Sequence, residues 1–343
     1  MNILVTGNLG YIGSVLTSKL EMLGHSVIGF DIGYFAECIT SNYTKPKKQI
    51  HKDLRSLKDN DLDGIDIVIH LASLSNDPLG EFIPELTEEI NYVSTVRLAN
   101  IAKKKGARKF IFASSQSIYG ISKTNEELDE DKSIKNPITA YAITKWKAEQ
   151  ELMKIADSNF CVTALRPSTV FGPSPRFRAD IVFNNLLACA FTSKKIEIWS
   201  DGSPWRPVIH IDDVCESFIA CVKAKEDIIN KEAFNVGLVG GNYTVREIAE
   251  AAQKSYPDSQ LVFLNKTGND NRTYKVNFDK INLVLKDYFK PIWNLDNGGA
   301  QLIKYFDKIK LKREDFRGRK TMRLKQLKYL ADNKIVNDKL EFN

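Results

Sequence analysis

Histidine is scarce in this chain, and the four present, at positions 25, 51, 70 and 210, share no ligand spacing. No metal site is therefore expected. Cysteine is also sparse: five residues, odd in number, with no Cys-x-x-Cys pair. That excludes a disulfide framework and a redox or zinc motif, and points to buried free thiols in a reducing cytoplasm. No apolar run approaches the ~18–20 residues that span a bilayer. The first apolar strand begins at residue 2, so neither a membrane segment nor a signal peptide is expected. No internal repeat or low-complexity segment occurs. The excess of positive charge is confined to one end. Residues 308–343 carry 12 Lys/Arg against 5 Asp/Glu, a net +7, while the whole chain carries +6. The body is thus near neutral, and the basic balance is no sign of nucleic acid binding. With 343 residues, 43% of them hydrophobic, there is material for one large α/β domain or two smaller ones.

What is present begins at residue 2. Ile3, Leu4 and Val5 form a short apolar run of the buried-strand type. Glycines follow at 7, 10 and 13, and Tyr11 to Leu23 has helical apolar spacing. Strand, glycine turn and helix together seat a pyrophosphate: one glycine turns the backbone, one lets it approach the phosphate, and one lets helix and strand pack closely. The helix start offers free N–H groups to the anion. Asp31 ends the next strand, 18 residues past Gly13. An acid there accepts from the ribose hydroxyls and repels a 2′-phosphate, which favours NAD over NADP. A dinucleotide site is the reading. Asp53 and Leu54 are candidate adenine contacts, with a helix N-cap aspartate as an equal alternative.

Strand and helix alternate from Gly24 to about Ser117, including Asp66 to Ala72 and Lys109 to Ser114 as strands and Thr87 to Lys105 as a long helix. Repeated βα units predict a doubly wound parallel sheet, with ligands at the carboxyl ends of its strands. The serine-rich stretch Ser114 to Ser117 lies at that edge. Farther on, Tyr141 and Lys145 are four apart and share one helical face. A lysine ammonium there would lower the phenol pKa and let the tyrosine exchange a proton with a sugar hydroxyl. Beyond Phe171 come a loop, an apolar helix from Ile181 to Phe191, a strand at Ile196 to Trp199, and a helix from Thr244 to Tyr256. Thr244 and Glu247 form its capping box. The strand at Phe234 to Gly237, and a segment near 208–212, would return to the main sheet. The division expected is residues 1–170 as the dinucleotide-binding domain, 171–306 as a smaller discontinuous lobe, and 307–343 as a basic extension. In that extension Met322, Leu327 and Leu330 suggest an amphipathic helix, docked on its own domain or a dimer mate, or touching an acidic membrane or partner.

The ordered motifs resemble those of the extended short-chain dehydrogenases/reductases, in the NAD-dependent nucleotide-sugar epimerase/dehydratase group, and are similar to those of UDP-galactose 4-epimerase. They are Thr6-Gly7-x-x-Gly10-x-x-Gly13, Asp31, His70-Leu-Ala72, Asn91, Ser114-Ser115-x-x-x-Tyr119-Gly120 and Tyr141-x-x-x-Lys145. Arg166 to Pro173, Trp205-Arg206, His210 to Asp213 and Arg272 complete the set. The resemblance implies a Rossmann-type α/β fold with a smaller C-terminal substrate-binding lobe. It implies NAD held by Gly7, Gly10, Tyr11, Ile12, Gly13, Asp31, Asp53, Leu54, Leu71, Ala72, Asn91, Ser114 and Pro167. Tyr141 and Lys145 would share that site, and Lys145 would bind the nicotinamide ribose. Ser115, Tyr141 and Lys145 would be catalytic. Ser115, Gln116, Thr169, Arg206 and Arg272 would bind a nucleotide sugar, the two arginines clamping its pyrophosphate. On the apolar helix from Ile181, Asn184 and Asn185 are candidate nucleotide or phosphate contacts, with an ordinary polar helix face as an equal alternative. A cytoplasmic homodimer is also implied.

Departures narrow the reaction. Relatives that eliminate water carry an Asp-Glu pair where this chain has Gln116 and Ser117, and neither of those can act as a general acid. Asn is common in relatives at Thr169. An NAD-dependent 4-epimerase is the first expectation. Net 4-dehydrogenation or 4-keto reduction is the alternative, a 4,6-dehydratase is less favoured, and a non-catalytic scaffold least.

Overall fold

The computed structural model describes residues 1–121, 126–264 and 273–343. Alternation along the first strand, Asn2–Thr6, sets the layers: Ile3 and Val5 face one core, Leu4 the other. Seven strands make one parallel sheet, in the order Glu232–Val236, Cys161–Pro167, Lys109–Ala113, Ile67–His70, Asn2–Thr6, Ser26–Asp31, Lys48–His51. All six pairings are parallel, with Ile3 opposite Val27 on one side and Ile67 on the other. On one face the helices Tyr11–Met22 and Ile211–Lys223 bury Leu16, Leu20, Val214 and Phe218. On the other, Ser94–Lys104 and Ala140–Ile155 bury Leu98, Ala99, Ala148 and Leu152. This is the doubly wound α/β sheet that the repeated units predict.

Strand order reverses at the first strand. The chain runs outward to Lys48–His51, then crosses to Ile67–His70 on the other side. The carboxyl ends of Asn2–Thr6 and Ile67–His70 therefore splay apart, and a crevice opens between their loops. His70 closes the floor below it. Its Nδ1 lies 2.6 Å from Thr6 Oγ1 and its Nε2 2.7 Å from Thr95 Oγ1. Full burial, then the Lys145 charge, holds its pKa well below the usual histidine value, so the ring is neutral and structural.

A smaller lobe packs around Phe171, Phe177, Phe183, Ile248, Leu302 and Phe306. Its helices are Val182–Ser193, Val245–Ser255 and Leu295–Ile309, with the parallel pair Lys195–Ile198 and Gln260–Phe263. The capping box is present: Glu247 N donates to Thr244 Oγ1 at 3.2 Å and Thr244 N to Glu247 Oε2 at 2.7 Å.

Two local expectations change. The strand Trp205–His210 does not return to the main sheet. It pairs in parallel with Thr169–Phe171 and antiparallel with Asn242–Thr244. The long helix at 87–105 is interrupted. Pro84–Glu88 leads into a π-helical turn, Glu89–Val93, before Ser94–Lys104 resumes the α form. Such a turn adds a residue to the ladder and re-aims the side chains within it. The C-terminal segment carries a helix, Arg323–Asp332, that docks on the body. Leu327, Leu330, Val336 and Leu340 are buried against Tyr34, Leu74, Leu79 and Ile90. Among the described residues no helix is long and apolar enough to cross a membrane.

Candidate active site

The crevice is a cavity of about 830 Å³ running between the main sheet and the smaller lobe. One end is built by the glycine turn. Gly7 has φ +72°, and a Cβ there would lie 2.6 Å from Ala72 N. A Cβ on Gly13 would lie 2.2 Å from Gly7 O. Both positions need glycine because backbone occupies the side-chain volume. Gly7, Gly10, Tyr11, Ile12 and Gly13 all line the cavity, as do Leu71 and Ala72 opposite. This cradle fits a dinucleotide diphosphate at the start of a helix.

Asp31 stands beside it. Its Oδ2 accepts from Leu9 N at 3.1 Å and its Oδ1 from Gly33 N at 2.8 Å. Burial raises its pKa, against those two N–H groups. Asp53 and Leu54 line the cavity nearby. Asp53 also caps the short helix Leu54–Ser56, accepting from Arg55 N at 2.7 Å, and pairs with the Arg55 guanidinium at 2.6 Å. The N-cap alternative for Asp53 is thus present, and the adenine contact stays a proposal that its place on the cavity wall allows.

At the other end Ser115, Tyr141 and Lys145 converge. Ser115 begins the short helix Gln116–Tyr119, accepting from Ser117 N at 3.1 Å. Tyr141 lies in the first turn of Ala140–Ile155, on the cavity wall with Ser115. Gly80 admits that turn, since a Cβ on it would lie 2.9 Å from the Tyr141 Cβ. Burial pushes the Tyr141 phenol up to about 12, and the Ser115 hydroxyl partly offsets this. Lys145 is buried, and desolvation brings its pKa down to about 7. Its Nζ donates to Ala113 O at 2.7 Å. The expected lowering of the phenol by the lysine does not prevail, because burial is the larger effect.

Beneath the serines lies a buried polar network. Ser114 Oγ donates to Glu149 Oε2 at 2.5 Å, Glu149 pairs with Arg166, and Arg166 Nη1 donates to the Tyr119 hydroxyl at 3.0 Å. Gln116 lines the cavity, its amide donating to Arg166 O and Ser168 Oγ, both at 3.1 Å. Pro167, Thr169 and Arg206 line the same wall.

Three sequence-predicted residues stand apart. Asn91 is not a wall residue. It sits in the π-helical turn, 1% exposed, and grips Leu74 by its N–H at 2.9 Å and its carbonyl at 3.3 Å, so it braces a loop of the crevice. Asn184 faces inward, bonded to Gly172 N at 3.0 Å, the Tyr11 hydroxyl at 3.1 Å and Arg178 O at 2.9 Å. Its neighbours Asn185 and Leu186 line the cavity instead. Arg272 lies outside the described residues. The sequence reading missed Asn76, Asp77, Arg178, Asp180 and Tyr274, which all line the cavity. Arg178 forms a bidentate pair with Asp180, both bonds 2.9 Å, and Asn76 Nδ2 donates to Asp180 at 3.2 Å. The Phe177-Arg178-Ala-Asp180 spacing was the available signal. It reads as a loop until the fold brings it against the glycine turn.

Comparison with known proteins agrees with this geometry. The chain is 30% identical to a UDP-glucose 4-epimerase of Mycolicibacterium smegmatis, over 89% of this chain and 98% of that one. It is 24% identical to UDP-glucuronic acid decarboxylase 1 of Xenopus tropicalis, over 89% of this chain and 72% of that one. The structure of the UDP-glucuronic acid 4-epimerase from Bacillus cereus, in complex with UDP-glucuronic acid and NAD, superposes with a TM-score of 0.78. It is 25% identical, over 90% of this chain and all of that one. The NAD dependent epimerase/dehydratase family matches residues 3–237, which hold the glycine turn, the serines, Tyr141 and Lys145, and this chain, an NAD-dependent enzyme, belongs to that family.

Proposed function

We propose that this protein is a nucleotide-sugar 4-epimerase. The observation that carries the reading is that Ser115, Tyr141 and Lys145 line one end of the dinucleotide crevice together. Bound NAD supplies the chemistry of removing a hydride from sugar carbon 4 and returning it to the opposite face. Tyr141 takes the proton of the 4-hydroxyl and later gives it back, while Ser115 holds the same oxygen in place. Gln116 and Ser117 offer no acid for loss of water, which supports epimerisation over dehydration. Arg206, Asn185 and Arg178 line the wall available to the nucleotide diphosphate and the sugar, and guanidinium forks suit phosphate oxygens. A cytoplasmic setting suits the free cysteines, four of them buried. A homodimer joined through the helices around Val93 and Tyr141 completes the proposal, with Val93 being 52% exposed on the first of them.

The test is to incubate the purified enzyme with NAD and a panel of UDP-, GDP-, CDP- and dTDP-sugars, then follow products by mass spectrometry and NMR. A product of unchanged mass with inverted carbon 4 is the expected outcome. A product two mass units lighter, with NADH absorbance, would instead make the enzyme a 4-dehydrogenase.

A further inference from the structure

The C-terminal segment does more than dock. Met322, Arg323, Leu324 and Lys325, at the start of its helix, line the same cavity as Gly7, Asp31 and Tyr141. The segment also joins the two lips of the crevice. One lip follows Asp31. There Gln326 Nε2 donates to Tyr34 O at 3.2 Å, the Tyr34 hydroxyl donates to Leu340 O, and Arg319 pairs with Glu37 at 2.6 Å. The other lip follows Ala72, where Leu327 and Leu330 share one apolar cluster with Leu74, Leu79 and Ile90. These lips are the loops on either side of the point where strand order reverses. A segment fastened to both crosses the opening through which a dinucleotide would enter or leave.

Arg323 adds chemistry to that position. It is 2% exposed, and no carboxylate pairs with it among the described residues. Its guanidinium lies over the Phe35 ring at 4.9 Å and donates to Lys320 O at 3.3 Å and Arg176 O at 2.5 Å. Arg176, Arg178 and Asp180 stand close by, and Asp180 is itself engaged by the Arg178 fork. A buried guanidinium is ordinarily matched by an anion. In this crevice the anion of suitable chemistry is the cofactor's diphosphate, whose cradle faces the same cavity. The M. smegmatis and B. cereus relatives are covered over 98–100% of their length yet match only 89–90% of this chain, so this chain carries residues beyond them.

We infer that residues 313–343 are a strap belonging to the NAD site, which closes over the bound cofactor and sets how long it stays, with Arg323 as a cofactor-binding residue. Linkage requires the effect to be mutual: what slows NAD departure is itself stabilised by NAD.

The experiment uses the full chain loaded with NAD. NAD release is timed after dilution, by enzymatic assay of the free cofactor, for wild type, Arg323→Gln and the double variant Leu327→Glu, Leu330→Glu. Release at least tenfold faster from the double variant and severalfold faster from Arg323→Gln is expected. Amide hydrogen exchange over 323–332 in the wild type is expected to slow when NAD is bound. Wild-type release from a folded double variant would overturn the strap, and wild-type release from Arg323→Gln would overturn that residue's role. If the double variant does not fold, exchange decides: identical exchange over 323–332 with and without NAD would refute the inference. No readout involves a sugar, so the result is independent of the epimerase reading.

Discussion

The Lys145 ammonium lies 5.9 Å from the Tyr141 ring and donates its hydrogen bond to the Ala113 carbonyl. Ser115 is the group that lowers the phenol's pKa most, against burial. On the proposed reading, proton transfer falls to Tyr141. Tyr141→Phe is expected to lower kcat by about 10²–10⁴-fold, the usual worth of a positioned acid–base group. The variant should retain NAD in wild-type amount. Paired assays of turnover and bound cofactor check this, and unchanged turnover would remove Tyr141 from the chemistry.

Burial gives Lys145 a pH signature in stability. Its folded pKa is about 7, against 10.5 as its ordinary value. Between these values the unfolded chain binds more protons at this site, so its contribution to stability rises with pH through that window. Below about pH 7 both states are protonated and the contribution is flat. Wild type compared with Lys145→Met, unfolded in urea from pH 6 to 10, should gain relative stability at about 1 kcal/mol per pH unit above pH 7. Parallel curves for the two proteins would contradict the buried, uncompensated lysine.

The Glu149–Arg166 pair is 3% exposed on both sides and ties Ser114 to Tyr119. Removing one partner leaves a buried charge unmatched, which costs about 3–5 kcal/mol. Glu149→Gln should show this loss in denaturant unfolding, with reduced turnover because Ser114 adjoins Ser115. A loss below about 1 kcal/mol would place the pair among the weak ones.

A methyl group at Gly7 tests the cradle. The positive φ and the 2.6 Å approach to Ala72 N leave no room for it. Gly7→Ala is expected to weaken NAD binding by at least tenfold in fluorescence titration and to destabilise the fold by about 1–3 kcal/mol. Wild-type NAD affinity would show that the turn is not the diphosphate site.

Much of this was legible in the sequence because local chemistry and periodicity carry it. The Ile3–Val5 run, the glycine spacing and Asp31 fix the switch-point crevice, and Tyr141 with Lys145 fix one helical face. What was illegible depends on distant packing. The π-helical turn at Glu89–Val93 leaves no mark in apolar spacing. Trp205–His210 looks like any strand until its partners are known. The tail's wall residues, Met322 to Lys325, reach the crevice only because Leu327 and Leu330 dock on loops some 240 positions away in the chain. Burial, likewise, overrode the phenol shift that residue spacing alone suggested.

Asn184 and Asn185 isolate that limit to a single helical step. Both are polar residues on an apolar helix, and composition cannot rank them. The structure gives Asn184 three internal bonds and 0% exposure, while Asn185 lines the cavity and donates to Ala179 O at 2.7 Å. Asn184→Ala leaves Gly172 N and Arg178 O short of a partner, a cost of about 1–3 kcal/mol. Its KM should move little once folded. Asn185→Ala should do the reverse, raising KM for the nucleotide sugar severalfold with a stability change within about 1 kcal/mol. Denaturant unfolding and steady-state kinetics on both variants check the pair. If Asn184→Ala alone raised KM, the inner asparagine would be reaching substrate through a rearranged helix, and the cavity wall would have to be redrawn around it.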